Sequence, residues 1–302
     1  MEMTETLRKS IVSLRAQVPD NAFTASTLGT VREGSGVVIG ADGLVVTIGY
    51  LITEAEEVWL TTHDDRVLPA HVVGYDQQTG FGLVQALGKL DLPALELGSS
   101  DSVGLGDRAV IIDGQGQQVA TEIVARQEFA GYWEYLLDEA IFAAPFHPSW
   151  GGAALVDAMG RLIGIGSLRL QMLQLGRTTD ITMLVPIDLL KPVLDDLITS
   201  GRPRREARPW LGVFSAEQSN EVVVMSVAGG GPAEQAGIRS GDIISELDGD
   251  EVTGLADFYR KLWRKAPAGS EFSMRVLRDG RENWVRIKTA DRDAFLHKPQ
   301  LQ

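Results

Sequence analysis

Nucleophilic catalysis by a side chain needs an attacking hydroxyl or thiol and a base that takes its proton. The chain offers few candidates for the second role: His63, His71, His147 and His297, and no cysteine at all. One of the four lies close to a serine. In Ala144-Pro145-Phe146-His147-Pro148-Ser149-Trp150-Gly151-Gly152, the imidazole of His147 is two residues from Ser149. That spacing allows a local hydrolytic pair; the plainer reading is a loop histidine beside a proline. No two histidines have the i, i+3 or i, i+4 spacing that places ligands on one helix face, so neither metal nor cofactor is expected. Without cysteine there is no thiol catalysis, disulfide or thiolate ligand.

The elements around this loop read as strands. Ala153 to Val156 is a short apolar strand, Asp157 to Arg161 a turn, and Leu162 to Ile165 a returning strand. Upstream, Gly34–Gly40, Leu44–Thr47, Glu57–Leu60, Val67–Val73, Gly82–Ala86, Arg108–Ile112 and Gln118–Arg126 are short apolar runs separated by Gly and Asp turns, which predicts a β-barrel or sandwich. Residues 5–18 fit an amphipathic helix or a first strand over Ile11–Ala16. Ile187–Ile198, after Pro186 and before Gly201, has helical spacing. Residues 201–209, with Arg202, Arg204, Arg205 and Arg208, read as a solvated linker. Beyond it come the segment Trp210-Leu211-Gly212-Val213, a helix over Leu255–Lys265, strands over Glu271–Leu277 and Asn283–Ile287, and an exposed tail after about Thr289.

The 302 residues are 44% hydrophobic and 23% charged, enough to build about two domains. A net charge of −13 without a basic face argues against nucleic acid. No apolar run approaches the roughly 18 residues of a membrane span. The first ten residues lack the basic-then-apolar layout of a secretory signal, which predicts a cytoplasmic protein, or a periplasmic one if a signal was trimmed.

The loop and hairpin together resemble the nucleophile loop of chymotrypsin-like serine proteases of the HtrA/Deg group, N-P-G-N-S-G-G-P-L-V-(N/D)-x-x-G-x-(V/L)-I-G-I. Pro148, Gly152, Leu155, Val156, Gly160, Ile163 and Gly164 fall in register. Gly34-Ser35-Gly36 and Asp42-Gly43-Leu44-Val45-Val46-Thr47 resemble the start of that family's first barrel. Gly231-Pro232-Ala233-Glu234-Gln235-Ala236-Gly237-Ile238-Arg239-Ser240-Gly241-Asp242-Ile243-Ile244 resembles the core of a PDZ domain. The resemblance implies a mainly β protein: a trypsin-like double β-barrel over residues 1–200, a linker at 201–209, a PDZ domain at 210–290 and a tail at 291–302. It also implies a homo-oligomer, by family habit a trimer.

Carried over residue by residue, the same resemblance puts Tyr50 at the histidine position, Gly80 at the aspartate position and Gly151 at the serine position. A register shifted by one puts Trp150 at the serine position instead. A phenol with an ordinary pKa of about 10 is a poor base near neutral pH. The expected protein is therefore a catalytically inactive relative; the alternative is an active serine endopeptidase working in protein quality control. In the PDZ-like part, backbone N–H groups of a glycine-containing loop catch a peptide's terminal carboxylate. The matching loop is Trp210-Leu211-Gly212-Val213, with Phe258 and Leu262 of the helix closing an apolar socket. The expected partners are peptides or protein C-termini with an apolar last residue. Phe129, Tyr132, Trp133 and Tyr135 are further candidate contacts, or core.

Overall fold

The computed structural model describes residues 2–174 and 176–297. The chain divides into two compact units. The first holds residues 1–127, 139–204 and 297–302; the second holds 128–138 and 205–296.

The first unit opens with α1 (Glu2–Lys9) and β1 (Ile11–Gln17), so the N-terminal pattern resolves into a helix followed by a strand. Five more strands follow: β2 (Val31–Val38), β3 (Leu44–Ile48), β4 (Glu57–Thr61), β5 (Val67–Tyr75) and β6 (Phe81–Ala86), with a one-turn helix α2 (Ala25–Leu28) after β1. They close into an antiparallel barrel in the order β1-β2-β3-β6-β5-β4, with β1 also pairing β4. A second closed barrel, β10-β11-β12-β9-β8-β7, uses β7 (Arg108–Ile112), β8 (Gln118–Gly131), β9 (Tyr135–Ala144), β10 (Ala154–Val156), β11 (Leu162–Gln174) and β12 (Arg177–Pro186). β8 runs five residues past its expected end at Arg126, and β12 carries no clear alternation in sequence.

Strands buried along their whole length, such as Leu44–Ile48 and Ala154–Val156, are apolar except for Thr47, because both sides face protein. The second barrel is filled by Ile111, Ile123, Ile141, Leu155, Ile163, Leu184 and smaller neighbours. Ser35 ties the barrels together. Its N–H donates to Gly151 O (2.8 Å), its carbonyl accepts from the Thr47 hydroxyl (2.7 Å), and its Oγ accepts from Gly114 N–H (2.9 Å). Glycine is required where backbones meet: a Cβ at Gly114 would stand 2.4 Å from Ser13 N.

The helix expected over Ile187–Ile198 is broken. A 3₁₀ turn at Ile187–Leu189 precedes α3 (Leu194–Ser200), which ends on Gly201 at φ 70°. Pro192 supplies the reason: it has no N–H to donate and disfavours helical geometry at Lys191. The linker arginines are not all free in solvent. Arg204 pairs with Asp196 at 3.5 Å in the first unit, and Arg208 lies over the Trp263 ring at 4.2 Å in the second.

The second unit is a six-stranded sheet. Its main path is β13 (Val213–Gln218), β14 (Glu221–Val227), β15 (Ile243–Leu247), β17 (Glu271–Arg278) and β18 (Arg281–Lys288), with β16 (Asp250–Glu251) paired to β15. Two helices, α4 (Pro232–Gln235) and α5 (Leu255–Lys265), complete it. α5 buries Leu255, Phe258, Tyr259 and Leu262, the i, i+3, i+4, i+7 stripe of a surface helix, into the core of this unit. The stretch expected to be an exposed tail is partly docked. Ala290 exchanges two backbone bonds with Trp210, and the Phe295 ring lies 4.9 Å from the Trp210 ring.

Candidate functional site

Tyr50 sits on the single 3₁₀ turn (Gly49–Leu51) that follows β3, and Gly151 lies in the loop between β9 and β10. The two meet across a groove of about 650 Å³ in the first unit, which Ser149 and Trp150 also line. A Cβ built on Gly151 would stand only 2.9 Å from the Tyr50 hydroxyl. The phenol therefore fills the space that a side chain at 151 would need. Its hydroxyl donates to Ser167 O at 2.9 Å. Burial pushes its pKa well above the ordinary range, so it stays protonated and cannot act as a base.

Gly80 lies in the turn before β6 with φ 87°, a conformation side chains rarely adopt. Its N–H donates to Asp76 O (2.8 Å), and its carbonyl accepts from Gly49 N–H (2.6 Å). The neighbouring carboxylate, Asp76, accepts from Gln78 N–H, Thr79 N–H and the Thr79 hydroxyl, which holds it in the turn.

The Ser149/His147 pairing forms through the wrong atoms for catalysis. His147 is fully buried, and its Nδ1 accepts the backbone N–H of Ser149 (3.1 Å), which fixes the proton on Nε2; Nε2–H donates to Gln117 O at 3.2 Å. Both ring nitrogens are thus committed, and the Ser149 side chain is exposed. A second consequence concerns anion stabilisation. By the loop's resemblance to the HtrA/Deg motif, the donors would be the N–H groups of Gly151 and of the residue two before it. The latter is Ser149, whose N–H is turned to His147.

In the second unit, Trp210, Leu211, Val213, Phe258 and Leu262 are all buried, and the last four belong to its core. Gly212 adopts φ 77°, and a Cβ there would lie 3.1 Å from the Trp210 ring and 3.2 Å from Ala228 Cβ. This conformation turns three successive N–H groups the same way, and they meet one carboxylate. Glu134 Oε1 accepts from Gly212 N–H (2.7 Å) and Val213 N–H (3.0 Å), and Oε2 accepts from Leu211 N–H (3.0 Å). Glu134 is buried, and that burial outweighs the three donors, so its carboxyl is pushed up to about 7. It was not recognisable in the sequence, because nothing near it pairs one glutamate with a loop 77 residues on. The aromatic run around it was the visible signal. Phe129, Trp133 and Tyr135 pack on one another, and Tyr132 lies 6.2 Å from Phe214 of β13. Among the described residues, no cluster of acidic or histidine side chains could hold a metal ion, and no helix is long and apolar enough to cross a membrane.

The architecture is matched by known proteins. Residues 34–165 match the trypsin-like peptidase domain family, and residues 209–289 match the PDZ domain family. The chain is thus a trypsin-like peptidase fold followed by one PDZ domain. It is a homologue of the DegP/HtrA proteins. It is 28% identical over 273 residues to a probable periplasmic serine endoprotease DegP-like of Pseudomonas fluorescens, covering 84% of this chain and 55% of that one. It is likewise 28% identical over 276 residues to the periplasmic serine endoprotease DegP of Escherichia coli K12, covering 84% and 56%. The chain spans about half the length of these curated relatives. Among solved structures, the HtrA-type protease AlgW with a decapeptide superposes with a TM-score of 0.57 at 24% identity, covering 96% of this chain and 98% of that one. The serine endoprotease from Yersinia pestis gives 0.54 at 22%, covering 96% and 98%. At that identity the likeness is one of fold.

Proposed function

We propose that this chain is a non-catalytic HtrA/Deg-like protein that binds peptides or protein C-termini through its PDZ domain, as a scaffold, adaptor or holdase. The observation that carries the first half is the 2.9 Å approach of the Tyr50 hydroxyl to where a Gly151 side chain would begin. A protonated phenol stands where a nucleophile and its base would have to meet. The relatives named as serine endoproteases share the frame, and this chain retains it without a hydroxyl at 151. The Ser149 N–H spent on His147 removes one donor that a tetrahedral oxyanion would need.

The binding half rests on the Leu211–Val213 N–H groups, which already hold a carboxylate. The apolar side chains beside them favour Val, Ile, Leu, Phe or Ala at a ligand's end. A periplasmic setting, as in the relatives' names, is the one we adopt. The test is casein digestion by the purified chain with Ser149→Ala run in parallel, together with a C-terminal peptide library. The reading predicts no digestion above the background of the variant and selective capture of apolar C-termini. Digestion that disappears in Ser149→Ala would overturn it in favour of an active endopeptidase.

A further inference from the structure

Three features expected of a bound C-terminal peptide are already present in the second unit, supplied by its own segment Glu128–Asp138. The carboxylate is that of Glu134, on the three N–H groups of Leu211–Val213. A strand-like backbone bond runs from Ser215 N–H of β13 to Tyr132 O at 2.9 Å. An apolar side chain, Leu136, enters the core of this unit. α5 clasps the segment: the Tyr259 hydroxyl donates to Gly131 O (2.9 Å) and accepts from Glu134 N–H (3.2 Å). Arg260 pairs with Asp138 at 2.6 Å and with Glu128. Glu134 itself is held at φ 58°, an unusual conformation for a residue with a side chain.

We infer that Glu134 is a built-in ligand that keeps the peptide groove shut, so that an incoming C-terminus must displace it. The inference rests on the peptide-binding reading and specifies how that site is controlled. It makes the groove selective by competition. A ligand has to offer a carboxylate, a strand and an apolar side chain at once, because the resident segment supplies all three. A free small carboxylate offers one of them and does not open the groove. Where only one-hundredth to one-tenth of molecules are open, apparent affinity is lowered about 100- to 10-fold.

The test uses the full chain and dye-labelled decapeptides ending in a free Val, Leu, Ile, Phe or Ala, with C-terminally amidated copies, read by fluorescence anisotropy. Glu134→Ala removes the resident carboxylate. Tyr259→Phe loosens the same segment through a different, volume-conserving change and keeps the test open if the first variant folds poorly. Hydrogen exchange at Leu211–Val213 is measured on every form without peptide. The expected result is at least tenfold tighter binding in Glu134→Ala, several-fold in Tyr259→Phe, and faster exchange at the three amides in both. Equal affinity in all forms would overturn the gate while leaving peptide binding intact. Binding by none of them would overturn the peptide reading and the gate with it.

Discussion

The Glu134 latch should loosen as pH rises. Docked, its carboxyl is pushed up to about 7 by burial; released into water it returns to 4.5. Docking therefore takes up a proton, its stability is fully present below 4.5, and it is lost as pH climbs through 7. A difference of about 2.5 units corresponds to about 3 kcal/mol, a factor of roughly 10² to 10³ in the open population. Tyr259, whose hydroxyl accepts the Glu134 N–H, is held far above this range, by burial first and by the Glu134 charge second, and the nearby Arg292 side chain opposes the rise in Glu134. The second unit contains no histidine. The assay is amide exchange at Leu211, Gly212 and Val213 between pH 5 and 8, divided by the intrinsic rate at each pH. Protection at these three should fall by about tenfold or more, while protection at Met274 in the core strand β17 stays level. In Glu134→Gln the three amides should show no such slope. Protection that is flat or rises with pH in the unaltered chain would refute the reasoning, because it would mean that the three donors, not burial, govern this carboxyl.

Four further perturbations test the remaining contacts. Restoring side chains as Tyr50→His with Gly151→Ser should yield no measurable casein digestion. The Ser149 N–H is still spent, and a missing orienting carboxylate alone costs about 10⁴ in rate. Gly152→Ala places a Cβ 2.0 Å from Ser35 O at φ 75°, and melting should fall by about 6–12 °C, for a loss of about 3 kcal/mol in a unit of this size. Gly212→Ala meets the Trp210 ring at 3.1 Å at φ 77° and should abolish peptide capture, with a stability loss of about 1–2 kcal/mol seen by denaturant titration. Asp188 is partly buried, which alone would raise its carboxyl, but Lys191, the Ser99 and Ser100 hydroxyls and Asp101 N–H hold it well below the usual range. Its stabilisation is therefore present above about 3.8 and fades as pH falls, so Asp188→Asn should lower the melting temperature at pH 7 more than at pH 3.

The sequence showed strands best where burial made them almost wholly apolar, as at Leu44–Ile48 and Ala154–Val156, and helices where one stripe was apolar, as at Leu255–Lys265. It misjudged places where a local rule competed with a longer pattern. Pro192 overrode helical spacing between Ile187 and Ile198. The aromatic content of residues 129–135 was visible, but its destination was not, because Glu134 finds its donors through the fold and not through local spacing. At the candidate site, Tyr50, Gly80 and Gly151 could be assigned to the triad positions of the motif by resemblance. Their consequences could not: the approach of the Tyr50 hydroxyl to Gly151 and the capture of Ser149 N–H by His147 need coordinates. Even His147, two residues from a serine, turned out to serve the loop backbone.

The most direct measurement of the central claim is covalent. The purified full chain is incubated with a fluorophosphonate, which labels a hydroxyl only where a neighbouring base and an oxyanion site activate it, and its intact mass is then recorded. The account predicts an unshifted mass after hours of exposure, at every pH from 6 to 9. A stoichiometric adduct that maps to Ser149, or to any other hydroxyl lining the groove, would contradict it.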